Sequence, residues 1–292
     1  MFAGVHTALV TPFSKDGNID TDAYRVVLDK QFENGIAGVV PCGTTGESPT
    51  LSHEEHNLVV KLAVKQTAKR GLVIAGAGSN STREAIEMTQ SAEKAGADAV
   101  LLVTPYYNKP SQEGLFQHFR AIATSTSLPI MLYSIPGRCV VELKVETVVR
   151  LAEACPNICA IKEAGGRVER VTALRAKLPA EFEILSGDDG LTVPFMKEGA
   201  VGVVSVASNL VPKTMSDLVT AMSEGRVDDA QAIHYANQAL FNGMLGLDVN
   251  PVPIKAALHL KGICEPRVRL PLVEMTPDKV EELKEILEKA GV

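Results

Sequence analysis

Short apolar runs alternate with longer stretches of helical spacing along most of this chain. Val5 to Val10, Ile36 to Pro41, Leu72 to Ala75, Ala99 to Val103, Pro129 to Tyr133, Ile158 to Lys162, Phe182 to Ser186 and Val201 to Val206 each have the length of a buried strand. Between them the period lengthens. Thr21 with Asp22 caps a predicted helix to about Glu33, where Gly35 ends it. Ser52 has Glu55 three residues on, a capping box that opens a helix to about Lys69. Further helices are predicted near Thr82–Lys94, Gln112–Ser125, Val145–Ala154 and Glu169–Lys177, with a short one reaching Glu198. Strand–helix alternation implies parallel strands joined by right-handed crossovers. Eight such units within about 210 residues point to a closed (β/α)8 TIM barrel. A doubly wound sheet is disfavoured, because Gly76-Ala77-Gly78-Ser79-Asn80-Ser81 lacks the last glycine of the dinucleotide fingerprint.

From Pro212 onward the pattern is helical, with helices predicted near Lys213–Ser223, Val227–Gly243, Pro251–Gly262 and Pro277–Ala290. No Gly-, Ser- or Pro-rich linker separates the two parts. The predicted organisation is a barrel over residues 1–211 and a C-terminal helical block over residues 212–292 packed on it.

Composition narrows the function classes. The 292 residues carry 29 basic and 35 acidic side chains, a net charge of −6 with no long charge run. That argues against nucleic acid or an anionic membrane as partner, and leaves room for a small anionic ligand. No apolar run approaches the length of a membrane span. The five cysteines, Cys42, Cys139, Cys155, Cys159 and Cys264, are scattered and odd in number, which predicts free thiols in a reducing cytoplasm. His53 and His56 stand three apart rather than four, so no H-E-x-x-H motif exists and no metal site is expected.

In a (β/α)8 barrel the active site lies at the C-terminal ends of the strands. The sixth apolar run ends on Lys162, followed by the small-residue turn Ala164-Gly165-Gly166. Apolar surroundings lower the pKa of an amine and make it a nucleophile able to form an imine with a carbonyl. Taken alone, Lys162 is equally well a strand reaching water. Its neighbours shift the balance. The fifth strand ends on Tyr133 and is followed by Arg138, and the second leads into Gly43-Thr44-Thr45-Gly46-Glu47, with two hydroxyls and glycine amides suited to a carboxylate. The fourth leads into Tyr106-Tyr107, the seventh to Gly187, the eighth to the Val204 region. Strand alternation puts Lys162, Ala160 and Ile158 on the inner face, and Tyr133 with Met131 likewise. A keto acid such as pyruvate needs these parts: an amine for its carbonyl and donors for its carboxylate.

Gly43-Thr44-Thr45-Gly46-Glu47, Tyr106-Tyr107-Asn108-Lys109-Pro110, Tyr133-Ser134-Ile135-Pro136-Gly137-Arg138, Ile161-Lys162-Glu163-Ala164, Gly187-Asp188-Asp189 and Asn250-Pro251-Val252-Pro253-Ile254-Lys255 together resemble the 4-hydroxy-tetrahydrodipicolinate synthases. These form a branch of the pyruvate-dependent class I aldolase family that includes N-acetylneuraminate lyase. The resemblance implies a Schiff-base synthase without a cofactor beyond the covalent imine between Lys162 and pyruvate. It condenses pyruvate with aspartate semialdehyde in the diaminopimelate route to lysine. By that resemblance Tyr133 relays protons with Thr44 and Tyr107, the latter reaching into a neighbouring subunit. Thr45 holds the pyruvate carboxylate, Arg138 the carboxylate of the second substrate, and main chain near Gly187 and Val204 lines the pocket. Lysine would bind as inhibitor through Ser48, His53, His56, Asn80, Glu84 and Tyr106 at a tight-dimer interface, within a homotetramer built as a dimer of dimers. Arg138 separates this reading from the alternative, a lyase acting on a sugar acid such as N-acetylneuraminate or 2-keto-3-deoxygluconate. One position departs from the pattern: synthases usually carry asparagine after the strand-five tyrosine, and here it is Ser134.

Overall fold

The computed structural model describes residues 1–292. Eight strands, β1 (Gly4–Ala8), β2 (Gly38–Val40), β3 (Leu72–Gly76), β4 (Ala99–Val103), β5 (Ile130–Ser134), β6 (Ile158–Glu163), β7 (Glu183–Ser186) and β8 (Gly202–Ser205), close into one parallel barrel in chain order. The last pairing, β1 with β8, joins Gly4 to Gly202 and His6 to Val204. This is the TIM barrel that the alternation predicts. Every strand is short and almost wholly buried, because side chains fill the barrel on one face and the surrounding helices cover the other.

Helix boundaries follow local chemistry. The helix Thr21–Glu33 is capped by Asp20, whose carboxylate accepts from the Asp22 and Ala23 amides, one residue earlier than the expected Thr21. The helix His53–Thr67 opens on the predicted box, with Ser52 and Glu55 bonding reciprocally. A short helix at Pro136–Cys139 stands between β5 and the helix predicted from Val145, where no helix is expected. The helix expected to run from Val227 to Gly243 is broken: Val227–Ala236 is α-helical and Ala239–Gly243 is a π-turn leading into Met244–Leu247.

The helix Pro212–Ser223 buries Met215, Leu218 and Val219 in one cluster with Val5 of β1 and Val203 of β8. It thus fills the eighth helical place of the barrel, on the C-terminal side of residue 211. The helices Val252–Leu260 and Pro277–Lys289 follow, and Ile254, Leu258, Leu283 and Leu287 join the main core of the barrel. No helix is long and apolar enough to cross a membrane.

Candidate active site

Register brings the lysine and the tyrosine together. In the β5–β6 ladder Tyr133 pairs directly with Lys162 and Ser134 with Glu163. Paired residues of a parallel sheet share a face, so the Lys162 and Tyr133 side chains both enter the barrel and Ser134 and Glu163 turn outward. One detail departs from simple alternation. Ile130 pairs with Ile158 but Met131 pairs with Ala160, so Cys159 is the extra residue of a bulge and the parity breaks below Ala160.

The outward neighbour anchors the strand end. Glu163 is fully buried and accepts from Arg170 Nε at 2.6 Å and from the Gly165 amide at 2.8 Å. The inward residue has space because Gly187 faces it: a Cβ there would lie 2.6 Å from Ala164 Cβ and 3.0 Å from Lys162 Cε. Lys162 Nζ lies 4.3 Å from the Tyr133 ring centroid. Only 5% of Lys162 is exposed, and no carboxylate pairs with it.

Burial therefore dominates its titration. Desolvation lowers the Lys162 pKa to about 8, Asp189 and Asp188 act against the shift and Arg138 adds to it. A fall from the ordinary lysine value of 10.5 to about 8 raises the neutral-amine fraction at pH 7 by roughly two orders of magnitude. Tyr133 moves the other way: burial pushes its phenol up to about 12, with the Thr44 hydroxyl and Arg138 opposing. The phenol therefore stays protonated near neutral pH and is available to donate.

Thr44, Thr45, Tyr133, Arg138, Lys162 and Gly187 line one cavity of about 250 Å³ at the C-terminal mouth of the barrel. Val204 is fully buried and is not among the residues that line it; Val206, two residues on, is. The C-terminal block supplies Asp248, Val249 and Asn250 to the same wall. Asn250 Nδ2 donates to Thr45 Oγ1 at 3.0 Å, and its carbonyl accepts from Arg138 Nη2 at 3.2 Å. The motif around Asn250 was visible in the sequence, but nothing local to it pointed to a cavity wall.

A second, larger cavity of about 390 Å³ is lined by Ser48, His53, His56, Glu84 and Tyr106. Asn80 stands outside this lining, and its carbonyl accepts from Asn108. Glu84 accepts from Ser79 and pairs with His53 at 2.9 Å; these two bonds, the serine's first, hold its carboxyl below the usual range. His56 Nε2 bonds the Gly76 carbonyl at 2.7 Å, and burial lowers its pKa. The two cavities share a wall of Gly43, Thr44, Leu101, Tyr133, Ile135 and Arg138. Tyr107 enters neither: it is 88% exposed, in left-handed backbone with φ 72°.

The model of the dihydrodipicolinate synthetase family matches residues 1–290. The curated 4-hydroxy-tetrahydrodipicolinate synthase of Syntrophotalea carbinolica is 46% identical over 292 residues, 100% of this chain and 99% of the relative. Among solved structures, the 4-hydroxy-tetrahydrodipicolinate synthase of Methylacidiphilum fumariolicum superposes with a TM-score of 0.98 at 53% identity, over 100% of this chain and 96% of that one. The chloride-inhibited dihydrodipicolinate synthase of Acinetobacter baumannii, solved with pyruvate, gives 0.97 at 43% identity, over 100% of each chain. That of Cyanidioschyzon merolae, solved with lysine bound, gives 0.95 at 42%, over 99% and 98%.

Proposed function

Because the chain belongs to the dihydrodipicolinate synthetase family, whose members are lyase-type enzymes of lysine and diaminopimelate synthesis, we propose that it condenses pyruvate with aspartate semialdehyde. The observation that carries this reading is Lys162: a buried amine without a carboxylate partner, beside a phenol in a cavity also lined by Thr44, Thr45 and Arg138.

The neutral amine attacks the pyruvate carbonyl carbon. The carbinolamine loses water to leave an iminium, and loss of a methyl proton gives the enamine. That carbon then attacks the aldehyde of the second substrate, whose oxygen takes up a proton. Tyr133, held as a neutral phenol, is placed to move these protons, with Thr44 facing it. Thr45 receives the pyruvate carboxylate and Arg138 that of the semialdehyde; Gly187 leaves the space in which Lys162 swings. The amino group of the second substrate then closes the ring on the former keto carbon and releases Lys162. No cofactor is needed, because the imine itself is the electron sink.

Tyr107 completes the relay from a second copy of the chain; its exposure and its absence from the lining of either cavity support that assignment. The working form is a tight dimer, with two dimers forming the tetramer. Lysine occupies the larger cavity, its ammonium toward Glu84, and acts through the shared wall. Five cysteines without a disulfide fit a cytoplasmic setting.

The test is turnover on a substrate panel. Pyruvate with aspartate semialdehyde should be consumed fastest; faster cleavage of N-acetylneuraminate or a 2-keto-3-deoxy sugar acid would replace this reading with the lyase one.

A further inference from the structure

The turn carrying Thr44 and Thr45 is held from the far end of the chain. Two residues past Thr45, Glu47 sits in left-handed backbone with φ 55°, a conformation uncommon for a glutamate and kept only where the surroundings enforce it. Its side chain is buried and paired with Lys255 of the helix Val252–Leu260, 208 residues away, which is fully excluded from solvent. The other carboxylate oxygen accepts from the Arg269 amide at 3.0 Å. Lys255 also donates to the Arg267 carbonyl at 2.8 Å. Phe13 closes the cluster, its ring centroid 4.1 Å from the Lys255 ammonium and 4.3 Å from the Arg269 guanidinium. Arg269 then grips both oxygens of Glu55 at 2.6 and 2.7 Å, and the Thr50 carbonyl at 2.9 Å.

None of these side chains lines either cavity. A buried ion pair is weak as a source of stability, since desolvation offsets its attraction and an apolar pair often serves as well. What this pair does is fix one end of a turn whose other functional residue, Thr45, is tied to Asn250 of the same block. The chain thus has two buried lysines with opposite surroundings. Lys162 lacks a carboxylate partner, and Lys255 has one.

We propose that Glu47 and Lys255 are positioning residues for substrate-carboxylate recognition: the pair, closed by Arg269, sets the Thr44–Thr45 turn from the C-terminal block. This rests on reading the cavity as a keto-acid site. It assigns the block a part in building the site.

Steady-state constants, melting curves and the borohydride-trapped pyruvate adduct of Lys255→Met, Glu47→Gln and the double variant test it. Lys255→Met leaves a buried carboxylate without its cation. It should raise KM for pyruvate roughly tenfold or more while kcat falls about threefold or less, because the nucleophile is untouched and the turn that receives the pyruvate carboxylate is displaced. The pH dependence set by Lys162 should not move, and the adduct should still form at saturating pyruvate. The double variant removes both charges, so its KM should lie between those of the wild type and Lys255→Met. A folded Lys255→Met with KM for pyruvate unchanged, or a double variant as impaired as the two single effects added, overturns the proposal. If Lys255→Met does not fold, Glu47→Asp, which keeps the charge and shortens its reach, is read by the same split between KM and kcat. Failure of the keto-acid reading itself looks different: the wild type then forms no adduct.

Discussion

At the scale of single residues, Lys162 is set apart by the partner it lacks. Lys162 is buried like a core side chain, and its pKa falls to about 8 because desolvation outweighs the nearby aspartates. A neutral amine is present above that value. With Lys162 as nucleophile, kcat/KM for pyruvate rises about tenfold per pH unit below 8 and levels off above it, as a pH profile would show. A plateau reached only near the ordinary lysine value contradicts the assignment. Ser134 shows the opposite case. Its hydroxyl is buried and has no hydrogen-bond partner, beside the Glu163–Arg170 pair. An unsatisfied buried polar group costs about 1–3 kcal/mol, so Ser134→Ala should be more stable than the wild type by up to that amount and melt at a higher temperature, with activity kept. A lower melting temperature would show that the hydroxyl has a role there.

At the scale of elements, the strand ends were legible and the connections only partly so. The length of the apolar runs predicted eight strands, and the register of β5 and β6 pairs Tyr133 with Lys162. The Ser52–Glu55 box was legible because its chemistry is contained in four residues. The short helix at Pro136–Cys139 was not, since Pro136 and Gly137 read locally as a turn. The wall formed by Asp248, Val249 and Asn250 was hidden for a different reason: it depends on long-range packing, which leaves no period in the sequence. The same holds for the substitution of Val206 for Val204 in the lining, since counting along a strand does not show where its side chains clear the core. The loops after β2 and β3, with the helices that follow, also build the larger cavity, where Glu84 is the acidic group among serines and histidines. If lysine binds there through its ammonium, Glu84→Thr should weaken lysine inhibition at least about tenfold and leave uninhibited turnover near wild type. Unaltered inhibition would move the lysine site elsewhere.

At the scale of the whole molecule, the barrel alone leaves the proposed relay incomplete. Tyr107 stands exposed on its own chain, in left-handed backbone, and does not line the cavity that holds Tyr133. If a second copy receives it, Tyr107→Phe lowers kcat by about tenfold or more with an unchanged melting temperature. Mixing Tyr107→Phe with Lys162→Ala subunits then restores activity, because one site of a mixed dimer keeps both groups. Mixed dimers without recovered activity would place the tyrosine outside the relay. Only the family resemblance gave this tyrosine a direction, since exposure in one subunit is a property of the folded surface.

These scales meet at one bond. Incubating the protein with pyruvate, reducing with borohydride and mapping the mass by peptide tests the account most directly. A three-carbon adduct on Lys162, absent without pyruvate and absent in Lys162→Ala, is the predicted result. Folded protein with no adduct, or with the adduct on another lysine such as Lys255, would contradict it.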